Sequence, residues 1–167
     1  MPRCWISLGS NLAREDSLRG GLRDLHAAFG TLRVSPVYES AAVGGTGPPF
    51  FNLVAGIITA APVAVIDARL RAIEAAHGRT RGADRYAPRT LDLDLLTYGT
   101  TSGTIAGRTL PRDEILRHAF VLGPLADVAP DERHPVLERS YAELWAAFDP
   151  AAKAELRPVA FDPRILS

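Results

Sequence analysis

Lysine is nearly missing from this 167-residue chain: of its 19 basic residues only Lys153 is lysine, and the other 18 are arginine. Biased codon usage accounts for that skew over most of the surface, yet it has a chemical consequence. Any phosphate bound here must be gripped by guanidinium forks, metal ions or backbone amides rather than by an ammonium point charge. There is no G-x-x-x-x-G-K-[ST] run, and "GGTGPP" lacks both the lysine and the strand-to-helix setting of a phosphate loop, so a Walker-type kinase is excluded. The protein-kinase lysine, "HRD" and "DFG" elements are missing too, as are a G-x-S-x-G elbow and an H-E-x-x-H zinc helix. A single cysteine, Cys4, rules out an internal disulfide and a Cys-rich zinc site. It lies in an apolar run and is expected in the core. The formal charge is zero, so no global field draws the chain to nucleic acid or lipid. No apolar run approaches 18 residues, and "MPRCWISLGSN" lacks the apolar segment of a signal peptide; a cytoplasmic protein is expected. Residues 1–167 are expected to form one domain with a substantial core.

What is present reads as alternating elements. "CWISLG" (4–9) alternates like a strand. Leu18, Leu22, Leu25 and Phe29 fall at helical spacing, with Gly30 as a stop and Gly20-Gly21 obscuring the start. "TLRVSPVYES" (31–40) reads as a second strand in which Pro36 demands an edge or a bulge. A breaker-rich loop, "AAVGGTGPP" (41–49), leads into "FFNLVAGIIT" (50–59), a third strand. Pro62 suits the first turn of a helix with Val63, Ile66, Leu70 and Ile73 on its apolar stripe, closed by Gly78. After a second long loop (78–89), "TLDLDLLTYG" (90–99) is a fourth strand. The order β-α-β-β-α-β predicts an α+β, ferredoxin-like antiparallel sheet with helices on one face. A short helix in "RHAFVLGPLADVAP" and a last helix through Trp145, announced by the capping box Ser140/Glu143, form a C-terminal extension.

The chemistry concentrates in "RYAPRTLDLDLL" (85–96). Period two turns Asp92 and Asp94 to one face of the strand and Leu91, Leu93 and Leu95 to the other. Same-face neighbours on a strand lie roughly 6.6 Å apart, which suits carboxylates sharing two metal ions roughly 3.5–4 Å apart. Without a cation the pair would repel, and one carboxyl would be pushed towards protonation. The plainer alternative is solvent exposure or salt bridges to Arg85 and Arg89. Against it, Arg79, Arg81, Arg85 and Arg89 crowd residues 79–89 and outnumber Asp84, Asp92 and Asp94. A polyphosphate with Mg²⁺ would satisfy both sets. Glu74, one turn before the loop, could add a polar contact, or could simply pair with Arg71 at i,i+3.

"RYAPRTLDLDLL" resembles the signature of the 6-hydroxymethyl-7,8-dihydropterin pyrophosphokinases of folate biosynthesis. "ISLGSN" (6–11), "SPVYES", "PPFFNLV" and "LPRDEILRHAFVLGPLADVAP" resemble further blocks of that family in order and spacing, over about residues 5–130. The resemblance implies an ATP-dependent diphosphotransferase that moves the β,γ-pyrophosphoryl group of ATP to the pterin hydroxymethyl and releases AMP. It assigns Asp92 and Asp94 to two Mg²⁺ ions and Arg79 and Arg89 to catalysis. It assigns Glu74, Arg81, Arg85, Tyr86, Arg112 and His118 to the ATP side. Ser40, Val43, Phe50, Asn52 and Phe120, with Asp92, fall on the pterin side, where two aromatic rings would sandwich the flat heterocycle and Asn52 would read its amide edge. On their own, Phe50 and Phe120 would read as core, and only the match of the surrounding blocks overturns that.

This chain departs from the family pattern at three positions. Arg112-Asp113 replaces the usual His-Tyr pair, and His118 stands where an Arg is usual. The expected partners are ATP and the pterin alcohol, with no nucleic acid, no membrane and no second copy of the chain. The loops at 41–49 and 78–89 are expected to order only when both substrates are bound. Two rival readings remain: a nucleotidyltransferase attacking the α-phosphorus on a similar palm, and an Arg-rich RNA-binding module. The second lacks the sheet-face aromatics such modules stack on, and its aspartates would repel phosphate.

Overall fold

The computed structural model describes residues 1–45, 47–78 and 91–163. Eight strands and six helices follow in chain order among them: β1 (Arg3–Ser10), α1 (Arg14–Phe29), β2 (Arg33–Val34), β3 (Val37–Ser40), β4 (Phe50–Ile58), α2 (Val63–Ala76), β5 (Asp92–Tyr98), β6 (Gly103–Ile105), β7 (Arg108–Leu110), α3 (Glu114–Arg117), α4 (Ala119–Val128), α5 (Tyr141–Ala146), α6 (Pro150–Ala154) and β8 (Arg157–Val159). The main sheet runs β5-β1-β4-β3-β8, with β2 also on β4, and its strand pairings are antiparallel. With β2 and β3 counted as one interrupted strand, this is the β-α-β-β-α-β order that the periodicity predicts. The interruption falls at Pro36. A proline cannot donate to a ladder, and Ser35 stitches the gap instead: its N–H donates to the Val54 carbonyl at 2.9 Å, and its Oγ accepts from Val54 N–H at 2.8 Å.

The two helices of that unit share one face of the sheet, as expected. Leu18, Leu22 and Leu25 of α1 and Val63, Ile66, Leu70 and Ile73 of α2 pack on Cys4, Ile6, Leu8, Leu53, Ala55, Ile57, Leu91, Leu93 and Leu95. The opposite face carries a second core, in which Val121, Leu122 and Leu125 of α4 and Tyr141 of α5 cover Trp5, Val54 and Leu96. The physical reason lies in β1 and β4, whose inner and outer positions are both apolar, so each strand needs cover on two sides. Gly56 makes room for this second core, since a Cβ there would lie 2.5 Å from the Trp5 ring. The helix runs straight through Gly20 and Gly21: a Cβ on Gly20 would meet the His77 ring at the end of α2 at 2.4 Å, and one on Gly21 would meet Leu91 of the first core at 3.0 Å, so each glycine allows a close approach.

Two further outcomes bear on the site. Ser140 and Glu143 do form a capping box on α5, but α5 is not the last element; α6 and β8 follow, and β8 extends the sheet beside β3. Cys4 is fully buried, and burial raises its thiol to about 11, which suits a core residue and not a nucleophile.

Candidate active site

The site is built on the outer face of β5, β1, β4 and β3. In β1 the odd positions Ser7 and Gly9 face outward, and register sets Ser7 opposite Asp94 and Gly9 opposite Asp92. On the other side of β1, Gly9 lies opposite Asn52, which in turn lies opposite Tyr38. Asp92, Gly9 and Asn52 therefore form one row across three strands, and at about 4.8 Å per strand the outer two are roughly 10 Å apart. The middle of the row has no side chain. A Cβ on Gly9 would come within 3.4 Å of Asn52 Oδ1 and 3.5 Å of the Phe50 ring, so glycine leaves an open floor between a carboxylate wall and an amide wall. Loop 41–45, α3 and the start of α4 close over this floor to give a cavity of about 300 Å³.

Nine of the expected site residues line that cavity together: Ser40, Val43, Phe50, Asn52, Asp92, Asp94, Arg112, His118 and Phe120. On the amide wall, Asn52 is buried and its Nδ2 donates to Ser40 Oγ at 2.8 Å, which fixes the orientation of its carbonyl oxygen. The loop that follows Ser40 is tied at its far end, where Asn11 Nδ2 donates to the Pro48 carbonyl at 3.2 Å and Arg14 Nη1 to the Pro49 carbonyl at 3.3 Å. Phe120 sits on the opposite wall, stacked on His118 with ring centroids 4.7 Å apart.

On the carboxylate wall, burial and then the Asp92 charge push the Asp94 carboxyl up to about 6, against the pull of Arg112, Arg71 and Arg108. Two hard oxygen donors one strand repeat apart, with the Asp92 charge disfavouring ionisation of Asp94, make a donor set that a divalent cation relieves. No third His, Cys, Asp or Glu joins them among the described residues. The set therefore suits Mg²⁺, which keeps water and substrate phosphate oxygens among its ligands.

Arg112 hangs beside this pair. Its backbone N–H donates to the Leu96 carbonyl at 2.8 Å and its Nε to Glu114 Oε2 at 2.7 Å. Glu114 also takes Arg117 Nη2 on its other oxygen at 3.1 Å. Burial pushes the Glu114 carboxyl up, but the hydrogen bond and charge of Arg112 outweigh it and leave the group below the usual range. With Nε occupied by Glu114, the outer nitrogens of Arg112 remain for an anion in the cavity. Glu114 is a residue the sequence reading missed. Its signal was present in "RDEILR", where a glutamate sits two residues after one arginine and three before another. Gly9 and Ser7 were missed as well, because a glycine at a strand end reads as a stop and not as a floor.

Glu74 lies elsewhere. It is buried against the edge of β5 that no other strand pairs among the described residues, where its Oε2 accepts the Leu93 N–H at 2.8 Å and its Oε1 lies 2.9 Å from Arg71 Nη1. It does not line the cavity, and the i,i+3 pairing with Arg71 is realised. Arg71 in turn reaches to 3.7 Å of Asp94 Oδ1, and Asp67, 3.7 Å from Arg71 and 2.9 Å from Arg108, continues a chain of ion pairs from it. Arg79, Arg81, Arg85, Tyr86 and Arg89 lie outside the described residues.

Comparison with known proteins places this geometry. A family model described as 7,8-dihydro-6-hydroxymethylpterin-pyrophosphokinase (HPPK) matches residues 5–130. The chain belongs to this family. A Pseudomonas aeruginosa protein named 2-amino-4-hydroxy-6-hydroxymethyldihydropteridine pyrophosphokinase is 41% identical over 150 residues, covering 87% of this chain and 91% of that one. A Synechocystis protein of the same name is 33% identical over 157 residues, covering 92% and 80%. Among solved structures, crystal structures of Plasmodium falciparum HPPK-DHPS match with TM-scores of 0.69 and 0.70 at 13% and 12% identity. They cover 86% and 93% of this chain, which spans less than half of theirs, 44% and 46%. That likeness is one of fold, and it agrees with the ferredoxin-like arrangement of an HPPK domain.

Proposed function

We propose that this chain transfers the pyrophosphoryl group of ATP to the hydroxymethyl group of 6-hydroxymethyl-7,8-dihydropterin, giving AMP and the pterin diphosphate, in folate biosynthesis. The observation that carries the reading is the row Asp92–Gly9–Asn52: a metal-suited carboxylate wall faces an amide wall across an open floor, in a chain of the HPPK family. In the reaction the pterin hydroxyl oxygen attacks the β-phosphorus of ATP. The bond from that phosphorus to the bridging oxygen on the α-phosphate breaks, AMP leaves, and the hydroxyl proton is released.

The residues divide this work. Asn52, its amide oriented by Ser40, reads the edge of the pterin, while Phe50 and Phe120 take its faces. Asp92 and Asp94 would hold two Mg²⁺ ions, and these, when bound, neutralise the polyphosphate oxygens and align the attacking hydroxyl. Arg112 presents its outer nitrogens to a phosphate, with Glu114 setting its angle. Arg79 and Arg89 are assigned to stabilising charge on the breaking bond, and Arg81, Arg85 and Tyr86 to the nucleotide side, on the family signature alone. Glu74 contributes from behind the strand by fixing Leu93 between the two aspartates. Incubation with ATP, magnesium and the pterin alcohol tests the reading. AMP and pterin diphosphate are expected; release of inorganic pyrophosphate would instead indicate attack on the α-phosphorus by a nucleotidyltransferase.

A further inference from the structure

Two aromatic rings meet on one wall of the cavity. His118 and Phe120 stack with their centroids 4.7 Å apart and their planes 17° from parallel. The backbone of His118 is pinned at the join of α3 and α4: its N–H donates to the Glu114 carbonyl at 3.0 Å, and its own carbonyl accepts from Val121 and Leu122 N–H at 3.0 Å each. The imidazole therefore projects from a fixed point onto one face of Phe120, and both rings are part of the cavity wall.

Neighbouring elements decide which half of the site this stack serves. Helix α4 packs over β4 and β3, the strands that carry Phe50, Asn52 and Ser40. Arg112 instead hangs from β5, beside Asp92 and Asp94. Charge points the same way. Burial, and then the Arg117 guanidinium, hold His118 below the usual histidine range, with Glu114 and Asp113 pulling less strongly in the other direction. A neutral imidazole is a stacking plate and a weak partner for a polyphosphate.

We infer that His118 is a positioning residue for the flat heterocycle, backing Phe120 so that its ring is held face-on to the pterin, and that it makes no phosphate contact; this rests on the pterin reading above. The phosphate-side cation of this segment is then Arg112, braced by Glu114. The histidine at this position thus moves from the nucleotide side, where the resemblance puts it, to the ring side.

The test separates the two ligands. Wild type, His118→Ala and His118→Phe are titrated with α,β-methylene-ATP and magnesium, then with 6-hydroxymethylpterin at saturating analogue. His118→Ala is expected to weaken pterin binding about tenfold, the worth of a lost aromatic pair. Nucleotide affinity should stay within about twofold, a change well under 1.4 kcal/mol. His118→Phe, which keeps a stacking plate without ionisable nitrogens, should return pterin affinity to within about twofold of wild type. Weakened nucleotide binding with pterin binding intact in His118→Ala would overturn the inference and leave the pterin reading standing, as would failure of His118→Phe to recover pterin affinity. A wild type that takes the nucleotide but not the pterin would overturn both.

Discussion

The amide of Arg112 donates to the carbonyl of Leu96 at 2.8 Å, and this one bond ties the segment after β7 to the strand that carries both aspartates. Leu96 is the extra residue of a bulge in β5, where register with β1 slips between Trp5 and Ile6. Up to Leu95 the even positions face the cavity; beyond the bulge the alternation reverses, and Tyr98 joins the first core. A bulge re-aims a strand, and here it gives Arg112 an anchor two residues beyond Asp94.

Replacing Arg112 with Ala should raise the KM for ATP by about 10- to 100-fold, the range of one or two charge-assisted hydrogen bonds, with a smaller fall in kcat. The KM for the pterin should stay close to wild type. Steady-state kinetics with each substrate varied in turn checks the split.

Asp94→Asn should lower kcat by about 10²–10³-fold or more, since it removes a carboxylate proposed to hold the magnesium that neutralises the reacting phosphates. Stability should move the other way. The folded carboxyl sits near 6 against an ordinary value of 3.8, so the protonated form favours the folded state. That contribution is present below the unfolded value and is lost as pH rises through about 6. Without metal, Asp94→Asn should therefore come close to wild type at pH 4 and melt about 6–12 °C higher at pH 7.5, the worth of about two pK units. Magnesium with nucleotide should narrow the gap at pH 7.5 by stabilising only the wild type. Thermal melts at the two pH values, with and without ligand, decide it.

Asn52→Ala deletes the amide that faces Asp92 across Gly9 and leaves Ser40 Oγ without its donor. Loss of a buried, oriented polar contact costs about 1–3 kcal/mol, so pterin affinity should fall by about 10- to 100-fold while nucleotide affinity is retained. Equilibrium titration with both ligands measures this directly.

Gly56→Ala tests the second core independently of chemistry. Its Cβ would stand 2.5 Å from the Trp5 ring, which is itself fully buried. Overpacking of this kind costs about 1–3 kcal/mol, and chemical denaturation should show the loss.

Much of this was legible in the sequence because the site lies on strands. Period-two alternation is enough to put Asp92 and Asp94 on one face, and the buried leucines on the other confirm it. Asn52 and Phe50 were placed by the family resemblance and not by this rule. What could not be read was partnership across the sheet. That Gly9 lies between Asp92 and Asn52 depends on registers set by long-range pairing, and nothing local in "ISLGSN" announces it. The second core escaped for a related reason: an apolar strand shows that it is buried, not how many layers bury it. Glu74 shows the limit of proximity in sequence. It stands one turn before the 79–89 arginine cluster, yet the axis of α2 carries it behind β5 and away from the cavity.

That placement has a mechanical result. Glu74 accepts the Leu93 N–H while Arg71 donates to the Leu93 carbonyl, so two side chains imitate the next strand of the ladder at the point where the sheet would otherwise stop. A foreign polypeptide approaching Leu93 finds its amide and carbonyl already committed. The residue between Asp92 and Asp94 is thereby clamped from outside, and the spacing of the two carboxylates is held by the fold itself.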